Sequence, residues 1–181
     1  MYMQNDIKEI LITEEQIKQK TKELGKKITE HYKGKDLVVI GVLKGCVIFL
    51  SDLVREIDLP LTLDFMVVSS YGTSTKSSGV VRIIKDLEKD IQNKDVLIVE
   101  DIVDSGLTLS YLVEYLKSRN ANSVKICTIL DKPEKRKAQV DIDFSGFQIP
   151  DEFVVGYGLD YSEIYRNLPF VCILKPEVYT K

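Results

Sequence analysis

One segment holds most of the side chains that could do chemistry: VLIVEDIVDSGLTL, residues 96–109. Two adjacent acids, Glu100 and Asp101, end an apolar run. A third, Asp104, follows, and Ser105-Gly106-Leu107-Thr108 then lead into a helical pattern. Successive amide donors at a helix start, with Ser and Thr hydroxyls beside them, suit a phosphate group. Carboxylates just ahead of that cradle repel a bare phosphate but suit sugar hydroxyls or a hydrated Mg²⁺. The combination asks for a ligand with both a phosphate and a diol, and a sugar phosphate fits. A simple helix cap at Asp104 or Ser105 explains part of the pattern. It does not explain two further carboxylates where the strand enters the loop. Neither GxxxxGKS/T nor GxGxxG occurs, which lowers the weight of nucleoside-triphosphate and dinucleotide loops.

Such residues must be positioned by the elements around them. LVVIGVL (37–43), LTLDFMVVSS (61–70), VVRII (80–84), VLIVE (96–100) and VKICTIL (124–130) are apolar or β-branched runs that predict strands. Helical patterns lie between them. In the first, Thr13 and Gln16 have capping-box spacing, Ile17, Thr21, Leu24 and Ile28 form an inward stripe, and Gly34 is a stop signal. A second covers roughly 46–57, with Val47, Leu50, Leu53, Val54 and Ile57 apolar, and a third begins near Leu107. SSYGTSTKSSG (69–79) is small and polar without periodicity. QVDIDF, EFVVGYG and FVCILK read as shorter strands. The fold expected is α/β, a mainly parallel sheet flanked by helices, with an irregular or antiparallel carboxy-terminal extension. In open sheets of this kind ligands gather outside the carboxyl ends of the strands. Those ends carry LKG, SSYG, EDIVDSG and DKP.

Composition narrows the rest. A length of 181 residues predicts one domain, 1–181. Twenty-five basic residues against 28 acidic ones give a net charge of −3, which argues against a dedicated nucleic-acid partner. With 44% hydrophobic residues, disorder is not expected. No apolar run approaches the ~20 residues of a membrane-spanning helix. The start, MYMQNDIKEI, lacks the pattern of a secretion signal, and Cys46, Cys127 and Cys172 sit in apolar settings, so a reduced, cytoplasmic protein is expected. A lone histidine and no close cysteine pair disfavour a zinc site.

LKG (43–45), SSYG (69–72), EDIVDSG (100–106), LDKP (130–133) and FVVGYGLDYSEIYRNLP (153–169) resemble, in order and spacing, the hypoxanthine-guanine phosphoribosyltransferases. The likeness runs from about residue 7 to 179. EDIVDSG alone is similar to the wider phosphoribosyltransferase group, and DKP with FVVGYGLDY points to the 6-oxopurine branch. The resemblance implies a type I phosphoribosyltransferase fold, with a core over about 35–140 and a small hood from the amino-terminal segment and about 141–181. It implies transfer of a phosphoribosyl group from phosphoribosyl pyrophosphate to hypoxanthine or guanine, giving IMP or GMP and pyrophosphate. It also implies Mg²⁺ as cofactor and a homodimer or homotetramer.

Residue by residue, the resemblance implies that Glu100 and Asp101 hold the ribose hydroxyls, directly or through Mg²⁺. Asp104 is the implied base or proton relay near purine N7. Residues 104–108, Asp104, Ser105, Gly106, Leu107 and Thr108, would bind the 5′-phosphate. Lys132 would donate to the purine 6-oxo group, Phe153 would stack on the base, and Val154 would meet its edge through the backbone. Asp160 would join the purine end of the site and a second Mg²⁺ shell, and Arg166 would grip pyrophosphate with Lys44 and Gly45. The Leu43–Lys44 peptide is expected to be cis. Ser70, Tyr71 and Gly72 would begin a lid. Two other readings remain open: a regulator on the same fold that binds RNA or senses nucleotides, and a transferase preferring xanthine. His31 is expected to sit favourably at a helix carboxyl end. Lys135, Arg136 and Lys137 are expected to be solvated surface.

Overall fold

The computed structural model describes residues 3–70 and 81–179. Tyr71 and Gly72 of the expected lid lie outside the described residues, as does the side chain of Ser70. The chain begins with a short strand, β1 (Ile7–Ile12), and then α1 (Glu14–Tyr32). The capping box forms as its spacing predicts: Thr13 Oγ1 accepts from Gln16 N and Gln16 Oε1 accepts from Thr13 N. Ile17, Thr21, Leu24, Ile28 and Tyr32 make the buried stripe, and Gly34 turns the chain with φ +78°. α1 crosses the end of α2 (Val47–Arg55) at Gly25, where a Cβ would stand 2.6 Å from the Glu56 carbonyl oxygen.

Six strands form the main sheet. These are β2 (Leu37–Leu43), β3 (Leu61–Ser70), β4 (Val81–Lys85), β5 (Asp95–Val103), β6 (Ser123–Asp131) and β7 (Phe144–Gln148), in the spatial order β4-β3-β2-β5-β6-β7. All neighbours are parallel except β4, which lies antiparallel on β3. β2 shows why its run has no alternation. Leu37 and Val39 pack with α1 and α2 on one face, while Val38, Ile40 and Val42 pack with Leu109, Leu112 and Leu116 of α3 (Leu107–Ser118) on the other. Both faces are covered, so every position is apolar. QVDIDF is not a strand for most of its length. Asp143 accepts the Ile126 N–H through its side chain at 2.9 Å, and ladder pairing starts only at Phe144.

A second, three-stranded antiparallel sheet has the order β1-β9-β8, with β8 at Val154–Val155 and β9 at Val171–Leu174. It has its own small core of Val155, Tyr165, Leu168, Cys172 and Leu174, and a short helix, α4 (Pro176–Tyr179), follows it. Asp6 ties the two ends together: its carboxylate accepts from Tyr165 Oη at 2.9 Å and its carbonyl from Lys175 N at 2.8 Å. This gives the antiparallel extension its partner, β1, a strand that the sequence pattern does not announce. The three cysteines are buried and free. Among the described residues no helix is long and apolar enough to cross a membrane. His31 is not favoured as a cation. Burial first, and then Lys35 and Lys125, lower its pKa.

Candidate active site

β5 runs through the middle of the sheet, and its carboxyl end delivers Glu100 and Asp101 half-buried between the ends of β2 and β6. Desolvation, and then the neighbouring Asp101, push Glu100 well above the usual carboxylate range. Desolvation likewise pushes Asp101 up to about 6, although the Ile102 N–H donates to its Oδ1 at 2.8 Å and works the other way. Two adjacent carboxylates are thus held where negative charge is unfavourable unless a cation or hydroxyl donors arrive.

The chain then enters the turn that starts α3. Gly106 caps the helix at φ +77° with no side-chain cap bond, a backbone shape that glycine adopts without strain. Ser105 is pinned from behind, its carbonyl accepting from Lys137 N at 2.9 Å and Ala138 N at 3.1 Å. A recess of about 190 Å³ results, lined by Glu100 to Gly106, Thr108 and Leu109. Amides at a helix start with Ser and Thr beside them can hold a phosphate.

A second, larger cleft of about 440 Å³ adjoins it. Asp101, Ile102 and Asp104 border both, and the second is closed by Lys132, Lys135, Asp151, Phe153, Val154, Leu159 and Asp160. Asp104 is exposed. Lys132 is not a solvated turn lysine: it is 5% exposed, and its Nζ donates to the Glu152 carbonyl at 2.7 Å. Its backbone N–H donates to Val103 O at 3.0 Å, tying the ends of β5 and β6. Burial lowers the Lys132 pKa, opposed by Asp104. An ammonium with spare donors in such a place can recognise a buried oxygen acceptor. Phe153 is 45% exposed, with Tyr161 edge-on at 5.9 Å and Tyr179 at 5.8 Å between ring centroids.

Lys44, Gly45 and Arg166 border neither recess but lie beside them. The Leu43–Lys44 peptide is cis, as the resemblance implies. Gly45 has no room for a side chain, since a Cβ would fall 1.7 Å from Asp101 Oδ2. Gly158, at φ +105°, packs against it so closely that a Cβ would lie 2.0 Å from Gly45 O. Arg166 Nη1 donates to Gly158 O at 2.8 Å, and Nη2 pairs with Asp160 at 2.7 Å. Arg166 Nε is buried with no protein partner.

Glu163 was not singled out by the sequence, yet it pairs with both Lys44 and Arg166. Its only signal is its position three residues before Arg166. Arg136 also departs from its expected role as solvated surface. It is largely buried, is ion-paired with Asp131 and packs over Gly106.

Among the described residues no three His, Cys, Asp or Glu side chains converge as a ready-made metal cage. Glu100, Asp101 and Asp160, the expected ligands, do not close on one point, and Asp160 is engaged by Arg166. The pair of desolvated carboxylates on β5 still suits Mg²⁺, which takes one or two carboxylates and completes its shell with water and ligand oxygens.

The phosphoribosyl transferase domain model matches residues 8–162. The chain belongs to that family. The hypoxanthine-guanine phosphoribosyltransferase of Bacillus subtilis is 58% identical over 177 residues, covering 98% of each chain. The bifunctional protein TilS/HprT of Listeria monocytogenes is 54% identical across 99% of this chain, which corresponds to 28% of that protein. Among solved structures, a hypoxanthine phosphoribosyltransferase from Staphylococcus aureus superposes with a TM-score of 0.97 at 56% identity. It covers 100% of this chain and 98% of that one. The family and fold implied by the sequence motifs are therefore found, and the acids of β5, the α3 turn and the Lys132 cleft lie in a phosphoribosyltransferase domain.

Proposed function

We propose that the chain transfers the 5-phosphoribosyl group of phosphoribosyl pyrophosphate to N9 of hypoxanthine or guanine, forming IMP or GMP and releasing pyrophosphate in purine salvage. The observation that carries this reading is the shared wall of the two recesses. A phosphate cradle at the start of α3 and a cleft with a buried lysine meet at Asp101, Ile102 and Asp104. A ribose placed across that wall would put its phosphate in one recess and its anomeric carbon at the mouth of the other.

The bond from the anomeric carbon to purine N9 forms as the bond to pyrophosphate breaks, and the purine gives up a ring proton. Asp104, exposed at the shared wall, is the base that takes or relays that proton near N7. Ser105 to Thr108 hold the 5′-phosphate. Glu100 and Asp101 hold the ribose diol and would hold Mg²⁺, which supplies charge neutralisation for the departing pyrophosphate. Lys132 donates to the 6-oxo group, and the adenine amino group offers no acceptor there. Phe153 covers a face of the base, and Val154 meets its edge through the backbone. Asp160 orients Arg166, and Arg166, Lys44 and Gly45 face pyrophosphate. Positioning and charge neutralisation supply most of the acceleration. The reading includes a cytoplasmic homodimer or homotetramer, supported by three buried free thiols and by Leu63 and Ile84, exposed on neighbouring strands β3 and β4.

Purified protein with Mg²⁺ and phosphoribosyl pyrophosphate, offered hypoxanthine, guanine, xanthine or adenine in turn, is expected to form IMP and GMP readily. Little AMP is expected. Absence of nucleotide from every base would overturn the proposal, and preference for xanthine would revise the role of the cleft rather than the reaction.

A further inference from the structure

The two cations that face pyrophosphate already share an anion within the chain. Glu163 Oε2 lies 3.1 Å from Lys44 Nζ and 3.3 Å from Arg166 Nη2. One carboxylate oxygen thus bridges a lysine after β2 and an arginine from the loop before β9, and the Glu163–Lys44 pair is 119 residues apart in sequence. The backbone aims Glu163 there. Ser162 and Glu163 have φ of +52° and +65°, a left-handed region that residues with a Cβ rarely adopt, and Glu163 N donates to Asp160 Oδ2 at 2.8 Å. The bridge is accessible to an incoming ligand, because the Lys44 and Glu163 side chains are 69% and 65% exposed.

We propose that Glu163 is an internal stand-in for pyrophosphate. Its carboxylate takes the anion position between Lys44 and Arg166 in the free chain, and the pyrophosphoryl group must displace it to bind. The inference rests on the phosphoribosyl-transfer reading and adds to it a residue that sets affinity for one end of the substrate. The Glu163–Lys44 pair is exposed and weak, and the longer contact to Arg166 shares Nη2 with Asp160, so a more highly charged ligand displaces both. Their return after reaction competes with the product and speeds its release. Both cations are thereby held near their working positions without a ligand, by a group that touches neither the base nor the 5′-phosphate.

The test compares wild type, Glu163→Gln and Glu114→Gln by titration calorimetry with magnesium pyrophosphate and by steady-state kinetics with phosphoribosyl pyrophosphate and hypoxanthine. Glu163→Gln keeps the side-chain shape and removes the charge. Glu114→Gln removes the same charge from an exposed position on α3, where it pairs with Lys117. From the usual worth of two weak ion pairs, Glu163→Gln is expected to bind pyrophosphate roughly 2- to 30-fold more tightly. Its KM for phosphoribosyl pyrophosphate should fall in parallel while that for hypoxanthine holds, and Glu114→Gln should behave as wild type. Equal or weaker pyrophosphate binding by Glu163→Gln overturns the inference alone, as does an equal gain in Glu114→Gln. A wild type that binds neither pyrophosphate nor phosphoribosyl pyrophosphate overturns the transferase reading and the inference together.

Discussion

Asp101→Asn separates the energetic burden of the site from its use. In the folded chain burial raises Asp101 from its ordinary 3.8 to about 6. One pKa unit is worth about 1.4 kcal/mol, so keeping this carboxylate ionised costs the fold up to about 3 kcal/mol. The side chain retains partial contact with water, which makes that figure a ceiling. A raised acid holds its proton in the folded state after the unfolded chain has released it. Wild-type stability from this group is therefore lost as pH rises from about 4 to 6, and stays flat above that window. Asparagine carries no charge at any pH, keeps an acceptor for the Ile102 N–H, and removes a repulsion that raises Glu100.

Metal-free Asp101→Asn is accordingly expected to be more stable than wild type at pH 8, by as much as about 3 kcal/mol, and by less than about 1 kcal/mol at pH 4. In a domain of this size the larger figure moves Tm by roughly 6–12 °C. Urea unfolding followed by circular dichroism at pH 4, 6 and 8 in the presence of a chelator measures it. Nucleotide formation should collapse in the same variant. A variant no more stable than wild type at pH 8, or one with the same gain at both extremes, would refute the claim that Asp101 is held ionised at a cost.

Gly45→Ala forces a Cβ to within 1.7 Å of Asp101 Oδ2. Displacing a carboxylate fixed against Ile102 N should lower kcat/KM for phosphoribosyl pyrophosphate by roughly 10²-fold, with the far-ultraviolet spectrum unchanged. Asp104→Asn should lower kcat by about 10²–10⁴-fold with the fold intact, read from steady-state rates and a melting curve. Lys132→Ala removes the donor proposed for the 6-oxo group and should raise KM for hypoxanthine by roughly tenfold or more. KM for phosphoribosyl pyrophosphate should move far less, and equal losses for both substrates would remove Lys132 from base recognition.

What could be read ahead of the structure was whatever the chain encodes locally. Thr13 and Gln16 announce α1 because a capping box is a contact three residues long. VLIVEDIVDSG announces the strand and the helix turn, but β5 runs on to Val103, past the acids that interrupt the apolar run, because Ile102 and Val103 still pair with β6. β1 was missed for the same physical reason. Only Ile12 of its six residues is buried, so IKEILI, paired along one edge with β9, shows no inward alternation. The burial of Lys132 depends on a carbonyl twenty residues away, and the pairing of Lys44 with Glu163 on a contact across 119. Arg136 looked like part of a basic run, and only the fold brings Asp131 and Gly106 against it.

The same contrast explains how the site divides its work. The smaller recess, proposed to take the 5′-phosphate, is built from one continuous stretch, Glu100 to Leu109, fixed by a buried strand on one side and a helix start on the other. The larger cleft, proposed to take the base, is assembled from the end of β6 and from residues 151–160, which are joined where Lys132 reaches the Glu152 carbonyl and Lys135 pairs with Asp151. A change of base preference can therefore be written into the second set while the first stays intact. This accounts for the sequence likeness as well. EDIVDSG is similar to phosphoribosyltransferases at large, whereas DKP and FVVGYGLDY carry the resemblance to one branch. The acids at the shared wall belong to both sets, so substitutions there should impair use of both substrates, whereas substitutions beyond the wall should impair one.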